Sequence, residues 1–331
     1  MTTRDVNDRK LYAGNPPIIV LWRCIAVLFV WSIVFATLWA APIAKTVCTV
    51  GDVNAATGGS SNGTACVKKP LRVLMIGNSF SISCMKHIPM VAKSLGLELD
   101  ITSMYIGGSS LRNHANNIAS KQPDYTPYLI SRNRCGKECP LECIRGKVNK
   151  SNIPQVLKCA DWDVVTIQQA SGQSWCPETY RPYGDQVVKT IRDFTPGAEI
   201  VMQQTWSYAV GEKRMSSSWR ITQNEMYEKL RCAYRDFAAV YGLRIIPMGE
   251  AVQEWRKRLP VKGSEGDVVG NGKDFAHLGS AGEYFQALLW TAFLFDVDVS
   301  QCAYRPEFVS EKNNALMKQI VSDVLKSSKK K

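Results

Sequence analysis

Histidine is scarce in this chain, with three residues in 331, at positions 87, 114 and 277. Any chemistry that needs an imidazole must draw on one of them. Acidic residues are also in deficit: 29 Asp and Glu stand against 41 Lys and Arg, a net charge of +12. The excess cations are scattered, and their densest cluster, Lys326-Ser-Ser-Lys-Lys-Lys331, reads as a solvated tail. A basic stripe or nucleic-acid-binding motif is missing, so nucleic acid is not an expected partner. No segment repeats with a solenoid or propeller period. The cysteines lack the close pairing of structural zinc sites, since Cys135, Cys139 and Cys143 are spaced Cys-x3-Cys-x3-Cys. No metal and no cofactor are expected.

The N-terminus is what the composition does supply. From Pro16 to Ala44 the only charge is Arg23, and Cys24 to Ala41 alone gives 18 residues, about the length of a bilayer-spanning helix. Arg4, Arg9, Lys10 and Arg23 precede that run, which favours a cytoplasmic N-terminus. A signal anchor over residues 18–44 and a cleaved signal peptide compete. Ala41-Pro42-Ile43-Ala44 is a poor cleavage site, so the anchor is preferred; cleavage would make the protein secreted. The expectation is a single-pass membrane protein, residues 1–17 cytoplasmic and the remainder lumenal or extracellular. Ten of the 11 cysteines lie beyond the apolar run, which suits an oxidising compartment. Cys48 and Cys66 read as partners, and bridges are expected within the crowd Cys135, Cys139, Cys143, Cys159 and Cys176. Asn62-Gly-Thr64 and Asn149-Lys-Ser151 are glycosylation sequons.

Residues 45–70, rich in Gly, Ser, Asn and Thr, read as a flexible stalk. Strands are then expected at 71–76, 95–104, 163–168, 199–205 and 243–247, with helical patterns between them. Strand alternating with helix predicts an α/β fold: a three-layer α/β/α sandwich around a five-stranded parallel sheet. That domain covers 71–297 and carries a Cys-rich insertion at about 112–160. A C-terminal helix and basic tail fill 298–331.

Gly77-Asn78-Ser79 breaks the apolar run Val73–Ile76. Ser79 sits at the carboxyl end of a first strand and close to a helix N-terminus, where ligands bind and negative charge is favoured. The competing reading is a plain helix cap. Far downstream, Asp274-Phe-Ala-His277 opens a helix after the last strand. That spacing lets a carboxylate reach Nδ1 of the imidazole while Nε2 faces a serine, as a triad requires. Of the other histidines, His87 reads as a helix-face residue and His114, after a Gly-Gly turn, as a candidate for the pocket wall. Cys84 reads as packed or disulfide-bonded.

Gly77-Asn78-Ser79-Phe80, Gly107-Gly108-Ser-Ser-Leu111, Gln168-Gln169-Ala-Ser171 and Asp274-x-x-His277, in this order, resemble the blocks of the SGNH/GDSL hydrolase superfamily. The first block has Asn78 where Gly-Asp-Ser is usual, as in a lesser-studied Gly-Asn-Ser-Phe branch. The resemblance implies a flavodoxin-like SGNH fold, Ser79 as nucleophile, His277 as base and Asp274 as its partner. It also implies an oxyanion hole from the Ser79 and Gly108 amides and a side-chain carboxamide. The usual Gly-x-Asn-Asp donor block is missing; Gln169 is the expected substitute, with Gln168 the alternative. Asn78, Gln168 and His114 are the further pocket candidates. The implied activity is a carboxylic ester hydrolase working through an acyl-enzyme, with acyl esters, including O-acetyl groups on glycans, as substrates. The rivals are a lipid esterase or acyltransferase, and a glycan-binding domain that keeps the fold without catalysis.

Overall fold

The computed structural model describes residues 69–121, 125–130, 151–259, 266–270, 272 and 274–329. The expected anchor, stalk, Cys48, Cys66, Cys135, Cys139, Cys143 and both sequon asparagines lie outside them. Among the described residues no helix is long and apolar enough to cross a membrane. The described cysteines, Cys84, Cys159, Cys176, Cys232 and Cys302, carry no disulfide bond.

Six strands form one sheet: β1 (Leu71–Gly77), β2 (Leu99–Tyr105), β3 (Thr126–Ile130), β4 (Val164–Ile167), β5 (Glu199–Gln203) and β6 (Arg244–Ile246). Their order is β3-β2-β1-β4-β5-β6. Every pairing is parallel except β2 with β3, which is antiparallel. The five expected parallel strands are therefore present, and an edge strand is added. Val73 to Ile76 are fully buried, as a central parallel strand covered on both faces must be. β2 starts at Leu99 because Leu95–Leu97 instead closes the preceding helix, with Gly96 in the left-handed region at φ 65°.

Nine α-helices are described: α1 (Ser79–Ile82), α2 (Ile88–Ser94), α3 (Leu111–Ser120), α4 (Ile153–Lys158), α5 (Tyr183–Phe194), α6 (Gln223–Tyr241), α7 (Met248–Arg258), α8 (Ser280–Phe295) and α9 (Glu311–Ser328). α3, α4 and α5 pack together, as do α2 with α8 and α9 with both α7 and α8. Helix α3, strand β3 and helix α4 occupy the stretch in which the sequence shows no alternation of strand and helix. The amphipathic pattern of α6 is clear, and a Thr222/Glu225 capping box starts it.

The chain leaves β1 toward β2 on one side and returns to β4 on the other. Such a reversal of strand order opens a crevice at the carboxyl ends of the strands, where open α/β sheets bind ligands. Ser79 stands there.

Candidate active site

The serine turn is built from buried hydrogen bonds. Gly77 ends β1 without a side chain, since a Cβ there would meet Ser81 Oγ at 2.5 Å. Asn78, rather than Ser79, caps α1: its Oδ1 accepts from the Phe80 amide at 2.9 Å. The Ser79 hydroxyl is thereby spared the capping role. Asn78 Oδ1 also accepts from Gln168 Nε2 at 2.6 Å, and Asn78 Nδ2 donates to the Ser109 carbonyl at 2.8 Å. The carboxamide thus ties the serine turn to the loops after β2 and β4. An aspartate could not make the third bond, because an ionised carboxylate only accepts. This gives the Asp-to-Asn departure of the first block a physical role.

Ser79 Oγ lies 2.8 Å from His277 Nε2, and His277 Nδ1 lies 2.5 Å from Asp274 Oδ2. Asp274 Oδ1 accepts from the amides of Ala276 (2.7 Å) and His277 (3.1 Å). Partial burial pushes the Asp274 carboxyl up, but these two amides and the imidazole outweigh it and hold it below the usual carboxylate range. The His277 and Asp274 side chains are 43% and 36% exposed, so the group opens to solvent.

Aromatic rings and a backbone ladder hold this loop. The Phe80 ring stacks on Trp206 at 4.4 Å between centroids and tilts under His277 at 5.0 Å. Trp206 Nε1 donates to the Ala276 carbonyl, and the Ala209 amide to that of Phe275. Gly270 donates to the His277 carbonyl and Gly279 to that of Val268. Beneath lies a buried ion pair, Arg256 with Asp267, whose guanidinium also binds Ser207. Trp206-Ser-Tyr208 starts three residues past the end of β5, a position that could have marked it as part of the site. Arg256 and Asp267 sent no signal.

The Ser79 and Gly108 amides have no hydrogen-bond partner among the described residues. Gly108 adopts φ 65°, a left-handed conformation suited to glycine. Both follow adjacent strands whose ends are in register, Gly77 beside Tyr105. Gln169 differs from expectation. Its Oε1 accepts from the Leu111 and Ala170 amides, and its Nε2 donates to the carbonyl and the hydroxyl of Thr179. Its carboxamide is spent on locking loops together and is not aimed at an oxyanion. Gln168 and Asn78 are each 1% exposed and bind each other, so they brace the site from below instead of lining a pocket. His114, expected as a candidate for the pocket wall, is fully buried, stacks on Tyr125 and binds its hydroxyl at 2.7 Å. His87 is mostly buried and meets Tyr304. Cys84 is buried, and that burial pushes its thiol well up, away from nucleophilic reactivity.

Residues 72–324 match the family model DUF4886, described as a domain of unknown function, and the chain belongs to that family. A crystal structure of a DUF4886 family protein from Bacteroides uniformis ATCC 8492 is 26% identical. It superposes with a TM-score of 0.67, covering 78% of this chain and 95% of that one. A protein from Slackia heliotrinireducens, proposed to be an SGNH hydrolase, is 22% identical with a TM-score of 0.46, covering 67% and 97% of the two chains. A proposed GDSL-like lipase from Parabacteroides merdae ATCC 43184 is 13% identical with a TM-score of 0.43, covering 69% and 97%. No curated protein matches.

Proposed function

For this member of the DUF4886 family, we propose a serine ester hydrolase in which Ser79 is the nucleophile, His277 the general base and Asp274 the group that orients it. The observation that carries the reading is the continuous pair of contacts from Ser79 Oγ to His277 Nε2 and from His277 Nδ1 to Asp274. In this reading His277 takes the Ser79 proton as the oxygen attacks an ester carbonyl. Negative charge gathers on the former carbonyl oxygen, which the Ser79 and Gly108 amides receive. His277 then returns the proton to the departing alcohol, and water releases the acyl group by the same steps in reverse order. The half-exposed imidazole favours esters presented from outside the protein, such as O-acetyl groups on glycans. We further propose that the apolar run Cys24–Ala41 anchors the domain to a membrane on the non-cytosolic side.

A neutral fluorophosphonate probe tests the core of the proposal. The purified protein should be labelled at Ser79, and Ser79→Ala should abolish the labelling. An unlabelled, folded wild type that still retains glycans would instead support a binding module.

A further inference from the structure

The loop between β5 and α6 carries a cation whose surroundings are unusually fixed. Arg214 lays its guanidinium over the Tyr208 ring at 4.8 Å and over the Trp219 ring at 5.6 Å. Its Nε donates to Glu212 Oε1 at 2.7 Å. These contacts set the plane of the guanidinium and occupy one of its edges. The Nη1 and Nη2 edge has no hydrogen-bond partner among the described residues, and the side chain is 50% exposed. A planar fork with one free edge matches a carboxylate better than a point charge would.

A short chain of contacts links the fork to the reacting groups. Tyr208 lies 6.5 Å from Phe80 between ring centroids, and Phe80 lies under His277. The Tyr208 hydroxyl binds Ser171 Oγ at 2.8 Å, on the loop after β4. A Cβ at Gly172 would meet Trp219 at 3.6 Å and the Tyr208 hydroxyl at 3.7 Å, so this loop runs along the aromatic wall. Lys213, Arg214 and Arg220 outnumber the single Glu212 on this loop.

We propose that the Nη edge of Arg214 is a carboxylate subsite of the Ser79 site, and that the natural substrate is an ester of an acidic, carboxylate-bearing alcohol such as a uronic-acid residue. Trp219 and Tyr208 offer apolar faces beside the cation, and an apolar face next to a fixed charge suits a ring that carries a carboxylate. The inference rests on the hydrolase reading of Ser79.

Two matched esters test it: p-nitrophenyl acetate and its analogue with a carboxylate ortho to the nitro group. Intrinsic reactivities cancel when the ratio of their kcat/KM values is compared between proteins. The ratio should fall about tenfold in Arg214→Gln, the loss of a charge-assisted contact, mostly through KM. Arg214→Lys should recover only part of it, because the charge remains and the fork does not. Fluorophosphonate labelling of Ser79 reports whether each variant keeps its fold; if Arg214→Gln fails that check, Arg214→Lys decides. An unchanged ratio in a labelled variant overturns the subsite while leaving the hydrolase reading intact. If wild type turns over neither ester, the hydrolase reading falls. Calorimetric titration of glucuronate against glucose then decides the subsite, which stands if wild type prefers glucuronate and Arg214→Gln does not. Equal binding overturns it.

Discussion

The serine turn and the Asp-His loop meet at one hydrogen bond, yet they are built differently. The turn is an extension of the central strand, and its neighbours Asn78 and Phe80 are buried. Its bracing bonds come from side-chain amides that do not ionise: Asn78, Gln168, Gln203 and Gln286. The Asp-His loop is half-exposed and held by backbone bonds, an indole and a remote ion pair. One side is rigid because it is interior. The other is held from its edges, by backbone bonds and an indole, with a buried ion pair nearby.

Removing the contact between the two sides should have the largest effect. Ser79→Ala and His277→Ala should each lower kcat by about 10⁴-fold or more, and the double variant should be scarcely worse than either. Additive losses would mean that the two residues do not act as a unit. Asp274→Asn should fold normally and lose about 10²–10⁴ in kcat, because it orients the imidazole and does not itself react. Wild-type rates in that variant would remove Asp274 from the mechanism.

Cutting the support under the loop comes next. Arg256→Ala leaves the fully buried Asp267 carboxylate without its partner, at a cost of about 3–5 kcal/mol in urea unfolding. The Arg256→Met, Asp267→Leu pair should recover most of that. A single-variant cost within error of zero would show that the pair is not a support.

Acid should separate the sides as well. Burial pushes His114 down to about 4, and burial with the neighbouring Lys86 charge does the same to His87. The folded protein keeps both neutral where the unfolded chain, titrating at about 6.5, takes up protons. Their contribution is full above that value and is lost as the pH falls toward 4. Asp274 is held below the usual carboxylate range, so its contribution persists until the pH falls through that lowered value. The elements flanking the serine turn should therefore weaken first. For the fully buried His114 the loss is roughly 3 kcal/mol, and His114→Gln should flatten the fall in urea stability between neutral pH and about pH 5. An equally steep fall in that variant would contradict the account.

The smallest effect is expected at the brace. Asn78→Asp sets a carboxylate against the Ser109 carbonyl and should cost about 1–3 kcal/mol. It should also slow fluorophosphonate labelling. Unchanged labelling would mean that the Asn78–Ser109 bond does not position the Gly108 loop.

What was legible in the sequence follows the same division. Val73–Ile76 and Ser79 are local: an unbroken apolar run and the Gly-Asn-Ser turn that ends it need no distant information. Asp274 and His277 were legible because both come from one turn. The direction of the Gln169 carboxamide was not, because it depends on Thr179 across an irregular loop. β3 was hidden because Pro127 sits inside it, which only an edge strand tolerates. α3 was hidden because polar Arg112, Asn113, Asn116 and Asn117 surround few apolar positions, and one inward position is His114. The Arg256–Asp267 pair joins residues whose nearness only the folded chain reveals.

One contact has a bearing on biosynthesis. The Phe80 carbonyl accepts from Gln203 at the end of β5 and from Gln286 on α8, and Gln286 stands 206 residues later in the chain. A ribosome making this protein releases the serine turn early and the last of these braces near the end. Until those later segments emerge, Ser79 lacks the His277 contact and its turn lacks the Gln286 brace. The bond from Gln286 to the Phe80 carbonyl can form only after α8 has emerged, so the serine turn is fully braced only late in synthesis.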